Sequence, residues 1–111
     1  MINILGSEWR IEKRKREEDP RLNAAVGYTD TSIKTIVVEE MEADADSKSD
    51  LEAYTKQVVR HEIIHAFLHE SGLDACASVY DGSWAMNEEM VDWISIQAPK
   101  LLKAFKDAGV E

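Results

Sequence analysis

Residues 61–65 read His61-Glu62-Ile63-Ile64-His65, an H-E-x-x-H pattern set inside a long stretch of helical character. On a helix, positions i and i+4 share a face about 6 Å apart, so two imidazoles can reach one point with Glu62 beside them. Neutral imidazole suits a borderline-soft cation, and a carboxylate that stays off the metal can take a proton from its water. The pattern therefore predicts two ligands of a zinc site, His61 and His65, and a general base, Glu62. Three histidines in 111 residues fall into this spacing by chance on the order of once in a hundred chains, so the surroundings must carry the rest of the reading.

The helix around the pattern has recognisable ends. Ser49-Asp50-Leu51-Glu52 has the form of a capping box with Ser49 at the N-cap, and Ser71-Gly72 supplies a stop, which predicts a helix over 50–71. Tyr54, Val58, His61 and His65 stack on one side, while Val59, Ile63, Ala66, Ile64, Phe67 and Leu68 add apolar faces, so this helix is expected to be central and largely surrounded.

Upstream, Trp9, Ile11 and Lys13 alternate with Arg10, Glu12 and Arg14, which predicts a strand over 8–15. Asp19-Pro20 reads as an N-cap with proline at the first helical position, opening a short helix over 21–26. Gly27-Tyr28-Thr29-Asp30 reads as turn chemistry, and the β-branched run over 34–39 is the best strand in the chain, expected to pair antiparallel with 8–15. The acidic, alanine-rich segment 40–50 reads as a connection. Downstream, 73–83 reads as a loop ending in Asp81-Gly82-Ser83. A last helix follows over 84–106, with Met90, Val91, Trp93, Ile94, Leu101, Leu102 and Phe105 inward and a kink or split at Pro99. The expected fold class is α+β: a single domain over 1–111, with a small antiparallel sheet packed on one side by the two long helices.

Composition narrows the partners. A formal net charge of −9 disfavours nucleic acid, whose phosphates need a basic face; the one basic cluster, Arg10 with Lys13 to Arg16, reads as a solvated strand edge. The single cysteine, Cys76, excludes an intrachain disulfide, fits a reducing compartment, and reads as a small buried apolar residue. No stretch approaches the apolar length of a membrane span, and the first residues lack a signal peptide's basic start, so a cytoplasmic protein is expected.

A zinc site of the hydrolytic kind needs a third protein ligand. His69 lies eight residues beyond His61, about 12 Å along an unbroken helix, too far to share an ion. The other candidates lie in Asn87-Glu88-Glu89-Met90-Val91-Asp92, where Glu88 and Asp92 share a helix face, so that one can bind metal while the other holds a ligand histidine.

An H-E-x-x-H followed after some twenty residues by N-E-x-x-x-D resembles the thermolysin-like (gluzincin) zinc metallopeptidases, and among them short phage and prophage proteins of the ImmA/IrrE and SprT-like kind. The resemblance covers roughly residues 28–95. It implies a minimal zincin-like domain with Glu88 as third ligand, Asp92 as its supporting carboxylate, and strand 34–39 as the edge that holds an extended peptide. Glu89 departs from the pattern by standing directly beside Glu88. The implied function is zinc-dependent hydrolysis of a peptide or protein, with Glu62 taking the proton of a zinc-activated water and passing it to the leaving amine. No oxyanion donor is assignable among Tyr28, Tyr80 and Trp84.

Two other readings stand beside this one. A zinc-binding interaction module without catalysis suits so short a chain, which has little material for a deep pocket. A structural protein with an accidental motif is the third. Glu62 weighs against both, because a structural zinc site takes four protein ligands and has no use for a free carboxylate.

Overall fold

The first reversal of the chain is made by two residues. Leu5 (φ 49°) and Gly6 (φ 94°) both take left-handed conformations, as a type I′ hairpin requires, so β1 (Ile2–Ile4) folds back on β2 (Ser7–Arg14) with Ile4 opposite Ser7. The structure, a computed structural model, describes residues 1–42, 50–77 and 83–111; Ser49, Tyr80 and the Asp81-Gly82 turn lie outside the described residues.

After β2 the chain makes two short 3-10 turns, Arg16–Glu18 and Pro20–Asn23. Asp19 caps the second by accepting from the Arg21 amide at 3.0 Å, with Pro20 at the first position, so the predicted helix start holds although only a single 3-10 turn follows. Gly27–Asp30 then forms a strand, β3, where turn chemistry was expected, and β4 (Thr35–Glu39) follows across a hairpin. Four residues of middling propensity become a strand because β4 offers them a full ladder, Gly27 opposite Val38 through Asp30 opposite Thr35.

That strand corrects the expected pairing. The sheet order is β1-β2-β4-β3, and β4 lies parallel to β2, Arg10 opposite Thr35 through Arg14 opposite Glu39. Reading 27–30 as a turn leaves one reversal between β2 and β4 and makes them antiparallel; β3 adds a second reversal and makes them parallel. The fold class is α+β as expected, but the sheet is mixed. β1 reaches only as far as Trp9 along β2, so among the described residues no strand pairs with β2 on that side beyond Trp9; Arg10, Lys13 and Arg16 are exposed as expected, whereas Arg14 is half-buried and paired with Glu12 and Asp19.

α1 (Leu51–Glu70) packs across one face of this sheet. Its N-cap is Asp50, whose side chain accepts from the Ala53 amide at 3.0 Å, one residue on from the expected Ser49. Ile36 and Val38 of β4 meet Val58 and Ala66 of α1, with Ile4 and Trp9 completing a cluster from which water is excluded. The Trp9 ring is fully buried, and its one polar atom is satisfied because Nε1 donates to Glu70 Oε1 at 2.9 Å. α1 is less enclosed than its composition implies: Phe67 remains 41% exposed.

Beyond Gly72 (φ 86°), which ends α1 as expected, Leu73–Ala77 forms a short helix, α2, in place of part of the predicted loop. Cys76 lies exposed on it and not in the core. A 3-10 turn, Trp84–Met86, leads into α3 (Glu88–Ala108), and Leu68, Ala85 and Val91 form a second small core between α1 and α3. Pro99 does not split α3. Of the expected inward set, Val91 is buried and Met90, Ile94 and Leu101 are half-buried, but Trp93, Leu102 and Phe105 are exposed. The buried residues of α3, Val91 and Ser95, belong to its first half, so the apolar stripe continues past the surface that covers it.

Candidate metal centre

One turn of α1 separates His61 from His65, and both rings leave the helix on the same side, with Nε2 atoms 3.1 Å apart. α3 starts beside them. Asn87 caps it by accepting from the Met90 amide at 2.8 Å, which puts Glu88 at the first helical position with its carboxylate over the two rings. Glu88 Oε2 lies 3.0 Å from His61 Nε2, and Oε1 lies 2.9 Å from His65 Nε2. Ligand atoms of all three residues lie within 4.8 Å of one another.

The donor set fits zinc. Ligands at about 2.0 to 2.1 Å from a tetrahedral ion stand about 3.3 Å from each other, close to the separations seen here. Among the described residues the group consists of two imidazoles and one carboxylate, which leaves one position of a tetrahedral ion without a ligand from them. Asp92, one turn after Glu88, sets its Oδ1 2.7 Å from His61 Nδ1, which fixes that ring and directs Nε2 toward the cluster. Glu89 is exposed and outside the group, and His69 is engaged elsewhere, its Nδ1 2.7 Å from Asp74 Oδ2 and its ring edge-on to Trp9.

Glu62 leaves α1 between the histidine cluster and β3, and is buried. Thr29 Oγ1 lies 2.9 Å from its Oε1, while Oε2 is 3.8 Å from His61 Nε2. Burial raises the Glu62 carboxyl above the ordinary carboxylate range, against the opposing pull of the Thr29 hydroxyl and the two imidazoles. A carboxylate whose protonated form is favoured in this way holds a proton better than an exposed glutamate does.

The cluster opens on a cleft of about 560 Å³ between β3 and the Trp84–Met86 turn, with Val26, Tyr54 and Val58 on one side and Ala85 and Met86 on the other. The strand that borders it is β3 and not 34–39; β4 lies inside the sheet, flanked by β2 and β3, with every residue buried. The Tyr28 hydroxyl donates to the Asp19 carboxylate and receives a hydrogen bond from Arg14, so it is committed to that network, and Trp84 is exposed at the rim.

The turn chemistry of Gly27-Tyr28-Thr29-Asp30 hides Thr29 and Gly27 from a reading of the sequence. The signal that could have found them is alternation: two residues apart on a strand, they share the face turned to α1. No family profile matches the chain, and neither the curated proteins nor the solved structures contain a significant match to it.

Proposed function

We propose that the chain is a zinc-dependent peptidase in which His61, His65 and Glu88 hold the ion and Glu62 moves the proton. The observation that carries the reading is the convergence of these three side chains, with a fourth, buried carboxylate beside them that is not one of the set. Zinc held there supplies a Lewis acid for the scissile carbonyl and a water acidic enough to lose its proton near neutral pH. Glu62 accepts that proton and returns it to the amide nitrogen as the C–N bond breaks. Asp92 keeps the His61 ring in register. β3, the edge of the sheet among the described residues, has backbone groups on its outer side that suit an extended peptide or protein substrate, and the apolar cleft walls take its side chains. An exposed, single thiol at Cys76 suits a reducing compartment such as the cytoplasm; among the described residues no helix is long and apolar enough to cross a membrane.

The test is metal analysis of protein purified without added zinc, followed by hydrolysis of a casein or peptide-library substrate by wild type and Glu62→Gln. Glu62→Gln should keep the zinc and lose activity by roughly 10² to 10⁴-fold. Loss of zinc from Glu62→Gln would make Glu62 a ligand and overturn the assignment.

A second reading, a zinc-binding interaction module without catalysis, is favoured by one observation. Trp84, Met86 and Trp93, which flank Glu88 in the chain, expose 57%, 53% and 56% of their surface, as residues that meet a partner do. Zinc-loaded wild type that cleaves nothing decides for it.

A further inference from the structure

The two oxygens of the Glu62 carboxylate are not equivalent. Thr29 Oγ1 lies 2.9 Å from Oε1 and 3.1 Å from the backbone carbonyl oxygen of the same residue, so the hydroxyl sits in a fork made by one glutamate. Oε2, 3.8 Å from His61 Nε2, faces the metal donors. Rotation of a carboxylate about its last torsion is soft, and nothing in the helix itself would keep one oxygen on the metal side. A hydroxyl has a single proton to give, and its bond to an ionised carboxylate is of the stronger, charge-assisted kind.

The strand is brought within reach by Gly27. A Cβ at that position would stand 2.9 Å from Val58 Cγ1, 3.2 Å from the Val37 carbonyl oxygen and 3.5 Å from Glu62 Cγ, so only a residue without a side chain lets β3 lie this close to α1. Thr29, the next residue on that face, then meets Glu62. Gly27 supplies the approach and Thr29 the bond.

We propose that Thr29 is a positioning residue for Glu62: its hydroxyl holds Oε1 and thereby makes Oε2 the oxygen that takes the proton. The inference rests on the peptidase reading for its consequence in catalysis, but the hydrogen bond and the orientation it sets belong to the chain's own residues. In the reaction the proton leaves the attacking water for Oε2, the water oxygen bonds to the carbonyl carbon, and the proton goes to the amide nitrogen as the C–N bond breaks. Thr29 keeps its own proton throughout.

Thr29→Val preserves shape and strand preference and removes only the hydroxyl; Thr29→Ser keeps the hydroxyl. In zinc-free protein at fixed pH, the Glu62 side-chain carboxyl ¹³C resonance, identified by its absence from Glu62→Gln, should move in Thr29→Val and stay in place in Thr29→Ser. In zinc-loaded protein, Thr29→Val should lower kcat by roughly 10 to 100-fold with KM and zinc content unchanged, and Thr29→Ser should restore most of the rate. An unmoved resonance in Thr29→Val, an unchanged kcat, or equal losses in the Val and Ser variants would overturn the inference. Wild type that hydrolyses nothing overturns the peptidase reading instead, and the resonance then judges the orientation by itself. If Thr29→Val does not fold, Thr29→Cys against Thr29→Ser, a change of one atom, carries the same comparison.

Discussion

Arg60 donates from its Nε to the backbone carbonyl of Ser95 at 2.6 Å. That oxygen is the one a helix would pair with the amide of residue 99, and residue 99 is a proline, which has no amide hydrogen. α3 therefore runs through Pro99 with its freed acceptor satisfied from α1, and the same bond ties the two helices together one residue from His61. Arg60→Ala should cost about 1 to 3 kcal/mol, the penalty of leaving such an acceptor without its partner. In a Pro99→Ala background the restored amide takes over the carbonyl, so the cost of Arg60→Ala should shrink. Denaturant unfolding of the four proteins in this cycle measures the coupling.

Glu88→Ala should lower zinc affinity far more than Glu89→Ala, because Glu88 faces both Nε2 atoms and Glu89 lies outside the cluster. Asp92→Ala should fall between them, losing about 10 to 100-fold in affinity through a less firmly held His61 ring. Competition with a chelator orders the three variants. A Glu89→Ala that loses more zinc than Glu88→Ala would transfer the ligand role to its neighbour.

Stability should decline in acid through Glu70. The indole N–H of Trp9 is the main cause that holds this carboxyl below the usual glutamate range, with Lys34 and Ser7 assisting and partial burial opposing. A carboxyl whose folded pKa is depressed contributes stability that is fully present above its unfolded pKa and is lost as the pH falls through the folded one. Melting temperature followed downward from neutral pH should therefore drop across and below the ordinary glutamate range. Glu70→Gln should be less stable at neutral pH and show a shallower acid limb; an unchanged limb would remove Glu70 from the account.

Gly27→Ala should destabilise the fold by about 1 to 3 kcal/mol, since the added carbon meets Val58 Cγ1 at 2.9 Å and a backbone oxygen at 3.2 Å and cannot be accommodated by a side-chain shift alone. The effect arises from contact and not from backbone strain, because Gly27 is not among the residues with positive φ. A urea midpoint that falls with an unchanged slope is the expected signature.

Much of the site was legible in the chain. A spacing of four residues on a helix determines that His61 and His65 point the same way, and the same arithmetic pairs Glu88 with Asp92. Helix ends follow local chemistry to within a few residues: Gly72 takes a left-handed conformation at the end of α1 as expected, while the cap of α1 is Asp50 in place of Ser49 and α3 starts at Glu88, capped by Asn87, in place of 84. These are short-range relationships, written in neighbouring residues and independent of what the helix packs against.

What only the tertiary structure decided lies between elements distant in the chain. The alternating pattern of 8–15 and the apolar run of 34–39 say that each is a strand, but hydrogen-bonded pairing has no signature in either segment, and β3, a strand made by its partner, sets the direction of the pair. The periodicity of α3 marks an apolar stripe without saying how far α1 covers it, which is why Leu102 and Phe105 are exposed. Thr29 meets Glu62 across 33 positions and Arg60 meets Ser95 across 35; neither bond exists until the sheet and both helices are in place. The sequence by itself determined which side chains share a helix face, because the helix repeat is local; the fold alone decided which carboxylate, hydroxyl and carbonyl those side chains meet, because that depends on surfaces brought together by burial.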